Sequence, residues 1–317
     1  MKTKAEGKFR SALRRVGRFF GMVALGAAIL TCSSASAQNL FVSGTDSGGG
    51  EIFKFTWDGR QSIFASGLYQ PSDLAFDSAG NLFVVDYMIV GPEAFGIAAI
   101  YKITASGTAT IFASGLSYAS SLAIDRMGNV FAADPNRGII YEYKPTGPRR
   151  TFAAGLQHPV GLAFNTLGNL FVADNSPNPS SGTSQGRIYE YKPNGSRATF
   201  AVLDPADRPA DLAFDGMGNL FMADLGGKVY KYDTSGVLRS HPRATFGSVP
   251  TSAQSLAFDN AGNLFVVDTG GISGTGSAVP NAIYKFTSQG TRSAFASGLA
   301  LSEAFARVAF PPIACCQ

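Results

Sequence analysis

Five aspartates recur at the ends of closely similar segments: Asp86 (NLFVVD), Asp134 (NVFAAD), Asp174 (NLFVAD), Asp224 (NLFMAD) and Asp268 (NLFVVD). Carboxylates brought together by a repeat would form an acidic ring able to attract cations, Ca²⁺ among them. Three other charged residues break the repeat. Asp73 (PSDLAF), Asp211 (PADLAF) and Arg307 (FARVAF) each precede the first apolar residue of a short run, where the other copies carry Ser121, Gly161 and Ser255. Two carboxylates and a guanidinium would suit a polar or cationic group better than an anion. The chain has two histidines, His158 and His241, and no spaced pair that would hold zinc.

These residues need a scaffold, and the repeat supplies it. The phrase NLF or NVF begins at Asn39, Asn81, Asn129, Asn169, Asn219 and Asn263, at spacings of 42, 48, 40, 50 and 44. Each unit contains four short runs rich in Val, Ile, Phe and Tyr, bounded by Gly, Asn, Asp or Pro, which reads as strands and turns. DSAGN, DRMGN, NTLGN, DGMGN and DNAGN are hairpin turns between a strand a (LAF) and a strand b (NLF). TWDG, TASG, PTG, PNG, TSG and TSQG play the same part between strand c (IYKF) and strand d (TFASGL). Four short antiparallel strands per 40–50 residues make one blade of a β-propeller.

The predicted fold is therefore all-β: a six-bladed β-propeller of four-stranded antiparallel blades. The repeat region opens with strands b, c and d (NLFVS, EIFKFT, SIFASGL) and closes with a lone strand a, ARVAF. One blade must take three N-terminal strands and one C-terminal strand, closing the ring without a covalent bond. In this architecture b–c and d–a connections emerge on one face, a–b and c–d turns on the other. The b–c connections are long in the second, fourth and sixth units (YMIVGPEAFGIAA, NSPNPSSGTSQGR, TGGISGTGSAVPNA) and short in the third and fifth (PNRGI, LGGK). Three long loops would fence one face, where the register of strand a is expected to point Asp73, Asp211 and Arg307 toward the channel mouth as a candidate binding site; loops on a rigid scaffold are where binding is usually placed. The aspartate ring reads as structural, since a residue kept in almost every blade satisfies loop N–H groups in every blade.

Residues 1–37 read as a signal peptide: seven Lys/Arg, the apolar run FFGMVALGAAIL and the small residues SSASA. The run is shorter than the ~20 residues of a membrane span. Cleavage after Ala37 places the protein outside the cytoplasm, secreted or periplasmic; attachment of a lipid at Cys32 (ILTCSS) is the lesser alternative. The leader holds seven of the 26 Lys+Arg and one of the 22 acidic residues, so the remainder carries a net charge of −2. No basic run remains for nucleic acid or an anionic membrane. The boundaries expected are 1–37 signal peptide, 38–312 propeller and 313–317 a short tail carrying Cys315 and Cys316, with the protein a monomer.

The pattern FASGLxxPxxLAFDxxGNLFVAD…IYKF…G resembles NHL repeats and the wider six-bladed group of gluconolactonase/SMP-30-like, paraoxonase-like and streptogramin-lyase-like proteins. The resemblance covers Asn39 to Phe310. It implies the propeller fold, but that fold hosts enzymes and binding modules alike. SMP-30-like enzymes hold a divalent metal with Glu, Asn and Asp, often from a PNGL-type strand start. Here the Asn-equivalent positions are Ser72, Ser120, Val160, Ala210 and Gln254, which are poor metal ligands. Two serine motifs are set aside. GTSQG (182–186) matches a nucleophile elbow, which needs a strand–turn–helix; TDSGGG (45–50) resembles a serine-protease loop without a histidine before it. The expectation is a binding or interaction module that takes a protein, glycan or small ligand on the long-loop face, with no nucleic acid. The alternative is a divalent-metal-dependent hydrolase or lactonase of the SMP-30 type.

Overall fold

A computed structural model of the chain describes residues 38–46, 49–90, 95–146, 149–175, 185–233, 243–272, 278–299 and 306–312. The expected leader with Cys32, the tail with Cys315 and Cys316, His241, and the two motif serines Ser47 and Ser184 lie outside these residues. Among the described residues there is no helix long and apolar enough to cross a membrane.

The fold is six four-stranded antiparallel blades. Blade 1 contains β1 (Leu40–Asp46), β2 (Gly49–Phe55) and β3 (Gln61–Leu68). Blade 2 contains β4 (Pro71–Phe76), β5 (Leu82–Val90), β6 (Phe95–Ile103) and β7 (Ala109–Leu116); blade 3, β8 (Ser121–Ile124), β9 (Val130–Asp134), β10 (Ile139–Tyr143) and β11 (Arg149–Ala153). Blade 4 contains β12 (Pro159–Phe164), β13 (Leu170–Asp174), β14 (Arg187–Tyr191) and β15 (Arg197–Val202); blade 5, β16 (Pro209–Phe214), β17 (Leu220–Asp224), β18 (Lys228–Tyr232) and β19 (Arg243–Ser248). Blade 6 contains β20 (Ala253–Phe258), β21 (Leu264–Asp268), β24 (Ala282–Phe286) and β25 (Arg292–Ser297), with a small hairpin, β22 (Gly271–Ile272) and β23 (Ala278–Val279), in its b–c connection. The last strand, β26 (Val308–Ala309), pairs with β1 and completes blade 1, through Phe41↔Ala309 and Val42↔Val308. The closure read from the sequence is the one the structure has, although the strand is shorter than ARVAF.

The core lies between blades. Successive strand-b residues point to opposite sides, so Leu82 and Val84 pack with Phe41 and Ile52 of blade 1, while Phe83 and Val85 pack with Leu122 and Val130 of blade 3. Both faces being covered explains why strand b is almost continuously apolar. Six clusters result, one for each inter-blade interface. An aromatic set repeats within them. The strand-b Phe meets the strand-d Phe of its own blade and the strand-a Phe of the next edge-to-face, as Phe131 does with Phe152 and Phe164, each at 5.0 Å. Phe265 and Phe310 repeat this contact across the closure at 5.1 Å.

The a–b turns explain the DxxGN signature. Asp77 accepts hydrogen bonds from the Ala79 and Asn81 N–H groups through Oδ1 and from the Asn81 amide through Oδ2. Gly80 takes a φ of 79° there, which an L side chain rarely adopts. Trp57, in a c–d turn, is exposed.

Candidate functional site

The repeated aspartates are clamps within their own blades. Asp86 accepts from the Tyr69 and Gln70 N–H groups, and Asp174 from those of Gln157 and His158. Asp224 accepts from Arg208 and Gly226, and Asp268 from Thr251, Ser252 and Gly270. Asp134 takes the Arg137 N–H, the Arg137 guanidinium and the Ser117 hydroxyl. Each carboxylate ties a d–a connection or the following loop to the end of strand b. Burial raises the pKa values of Asp86, Asp174 and Asp224, and the bonded N–H groups oppose that rise.

Asp73 lies in β4, Asp211 in β16 and Arg307 directly before β26, the strands a of blades 2, 5 and 1. In blades 2, 4, 5 and 6 this strand carries a one-residue bulge at Ser72, Val160, Ala210 and Gln254. A bulge re-aims the side chain that follows it, and the following residues are Asp73, Gly161, Asp211 and Ser255. Several of these side chains stitch adjacent blades together. The Leu122 N–H donates to Asp73, that of Leu162 to Ser121, that of Leu256 to Asp211, and that of Val308 to Ser255. Gly161 offers no acceptor. A Cβ there would lie 3.1 Å from the Cα of Asp211, so a side chain would press on the neighbouring strand. The Leu212 N–H that Gly161 leaves unpaired bonds to Oδ1 of Asp211 itself at 2.8 Å. The Leu74 N–H, beyond the non-accepting Arg307, likewise bonds to Asp73. Each aspartate thus follows a blade whose residue cannot accept.

The three charges share one electrostatic environment. Arg307 Nε lies 3.8 Å from Asp73 Oδ1, and its Nη1 donates to the Gln254 carbonyl. Asp211 is partly buried, not solvated. It also accepts from the Ser255 hydroxyl at 2.7 Å, and its pKa is raised by burial against the pull of Arg307. Asp73 is pushed up to about 7, first by burial, with Arg307 opposing and the negative charge of Asp211 adding to the rise. Tyr118 also feels the Arg307 charge, and it packs edge-to-face on Tyr87 at 5.6 Å. Tyr87 follows the clamp Asp86 at the base of the long β5–β6 hairpin, so that hairpin and the charge cluster are on the same side of blade 2. Most of the fourth b–c connection and the tip of the sixth fall outside the described residues. Tyr118 carries no signal in the sequence, since no repeat singles it out, and Gln254 stands out there only as a poor metal ligand.

A divalent cation does not fit this set. Asp73 and Asp211 are occupied by N–H and hydroxyl donors, and the guanidinium of Arg307 is where a shared cation would have to be tolerated. Among the described residues no group of three or more His, Cys, Asp or Glu side chains is placed to hold a metal.

A pH effect follows from Asp73. Between about pH 4 and 7 the unfolded chain has released this proton while the folded chain keeps it, so stability falls as pH rises through that window. Asp73→Asn should gain on the parent by roughly 3 kcal/mol between about pH 5 and pH 8, since about two pKa units of that window lie below the folded value. Urea denaturation at the two pH values checks this; a mutational difference independent of pH would refute it.

No family model matches the chain, and no curated protein matches it. Solved structures share its fold at low identity. A PQQ-bound aldose sugar dehydrogenase from Streptomyces coelicolor is 14% identical, with 78% of this chain and 90% of that one covered and a TM-score of 0.60. A gluconolactonase from Xanthomonas campestris is 19% identical, covers 73% and 83%, and has a TM-score of 0.55. A virginiamycin B lyase from Staphylococcus aureus, an inactive variant with quinupristin, is 15% identical, covers 82% and 85%, and has a TM-score of 0.54.

Proposed function

We propose that the protein is an exported binding module, released from residues 1–37, which takes a polar, neutral or cationic ligand at the channel mouth on the face of the long b–c loops. The observation that carries this reading is the convergence of Asp73, Asp211 and Arg307, the only charged departures from the repeat at that position of strand a. The cluster sums to −1 when both carboxylates are ionised and to zero when Asp73 holds its proton. A neutral polyhydroxyl compound could accept from the guanidinium and donate to the carboxylates without bringing uncompensated charge into a buried place. A free anion would meet two carboxylates. That proteins of this fold include a gluconolactonase and an aldose sugar dehydrogenase favours sugar-like ligands. The first of these also favours the second reading, a metal-dependent lactonase, which would need oxygen ligands other than the engaged Asp73 and Asp211.

The test starts from exported protein whose intact mass begins at Gln38. Elemental analysis is followed by thermal-shift titration with neutral monosaccharides and polyols, small hydrophilic amines and carboxylates. Neutral or amine probes should raise the melting temperature and carboxylates should not, with affinity weakened about tenfold in D73N/D211N, as loss of charge-assisted hydrogen bonds implies. One tightly held divalent ion per chain together with lactone hydrolysis would replace this reading by the lactonase.

A further inference from the structure

The face opposite the long loops carries a second departure from the repeat. At the middle of strand c four blades have a lysine: Lys54, Lys102, Lys231 and Lys285. In three of them the ammonium stands over the strand-b phenylalanine: Lys102 over Phe83 at 5.5 Å, Lys231 over Phe221 at 5.4 Å and Lys285 over Phe265 at 5.4 Å. Lys102 also lies 3.8 Å from Asp77, the a–b turn aspartate. Each of these niches is a cation site already filled by the chain itself.

Blades 3 and 4 have Glu142 and Glu190 at that position. Among the described residues no cation stands over Phe131 in blade 3, and a cavity of about 430 Å³ lies there between the two blades. Its lining includes Phe131, Phe152, Phe164, Tyr191, Glu142 and the turn carboxylate Asp125. The volume is in the range of small-molecule pockets. Glu142 is only 3% exposed. Arg150, its cross-strand partner, reaches it from a largely exposed position, and its Nε and Nη2 both bond to Oε2. The buried Glu142 carboxylate lies cross-strand from Phe131, an aromatic ring whose counterparts in blades 2, 5 and 6 each carry an ammonium. The other charged lining residues, Arg126 and Lys192, are exposed to solvent, where their repulsion is screened.

We propose that this niche binds a small amphipathic amine, its ammonium placed over the Phe131 ring as a lysine is placed in blades 2, 5 and 6 and paired with Glu142, its apolar body against Phe152, Phe164 and Tyr191. Cation–π attraction and a charge-assisted hydrogen bond act together there. The site is separate from the channel mouth and does not rest on the reading given to it.

Calorimetric titration with phenethylamine, phenethyl alcohol and 3-phenylpropionate tests the proposal. Phenethylamine should bind saturably, the alcohol about tenfold or more weakly, and the acid not at all. The E142K/R150S variant recreates the Lys/Ser pairing seen at Lys54–Ser62 and Lys285–Ser293, so it should fold, fill its own niche and lose amine binding. E142Q, which keeps the size of the side chain, should weaken binding without filling the niche, and D73N/D211N should leave it unchanged. Equal binding of amine and alcohol, tighter binding of the acid, full binding by E142K/R150S or E142Q, or no saturation by phenethylamine would each overturn it.

Discussion

A chain stopped at residue 305 should lose about 5 kcal/mol or more and melt roughly 10 °C or more below the longer one. The segment removed is short but has large effects. Ala306 and Val308 are buried in the cluster between blades 6 and 1, and Ala309 in the one between blades 1 and 2. Phe310 completes the aromatic set with Phe265. Re-exposing large apolar side chains costs ~1.5–3 kcal/mol each, and each lost hydrogen bond about 1 kcal/mol. The bonds lost include Ser43 N–H to the Arg307 carbonyl, Arg307 N–H to the Ser43 hydroxyl, and Val308 N–H to the Ser255 hydroxyl. Two blade surfaces and the edge of β1 would then face water. Differential scanning calorimetry of the two chains decides the matter; coincident melting would mean that the three-plus-one blade does not hold the ring together.

Arg307→Met should have the second-largest effect. It removes the one positive charge set among Asp73 and Asp211, leaving buried carboxylates to repel each other. Breaking a buried ion pair from one side typically costs ~3–5 kcal/mol, because an uncompensated charge remains. The loss should be largest near pH 8 and shrink as the pH falls, because protonation of the carboxylates removes their repulsion. The triple variant R307M/D73N/D211N should recover most of the stability, since replacing a whole buried charge cluster by neutral groups is often close to neutral. Chemical denaturation across this pH range would show both effects. A triple variant no better than R307M would assign the loss to the bond with the Gln254 carbonyl instead.

Much of this was legible in the chain because a propeller writes its fold six times. Alternation within NLFVVD gave the doubly covered strand b, DxxGN gave its turns, and the unmatched ARVAF gave the closure. Register set Asp73, Asp211 and Arg307 at the same position of their strands a. What it could not give was their reach. Asp73 and Asp211 lie three blades apart, yet the charge of Arg307 acts on both. Nor does any spacing reveal that Asp73, Ser121 and Asp211 serve the backbone of the next blade, because those hydrogen bonds join strands some 40–50 positions apart. That dependence explains why aspartates follow Arg307 and Gly161. The Glu142 exchange was readable as YEYKP among copies with lysine, but its meaning depends on the Phe131 ring in a neighbouring strand.

The closure has a consequence in time. Within each of blades 2 to 6 the strands are neighbours in sequence and can pair as soon as they are made, while Ser43 and Arg307 meet across 264 positions. At roughly 5–20 residues per second, β1 waits on the order of ten seconds to a minute for its partner strand to be synthesised. Contacts between such distant positions form late and slowly. During that interval Asp73 and Asp211 exist without their guanidinium, so nascent or clipped chains lack the assembled channel mouth. Any ligand that needs all three charges would therefore recognise only rings that have closed, and its binding would report completed folding.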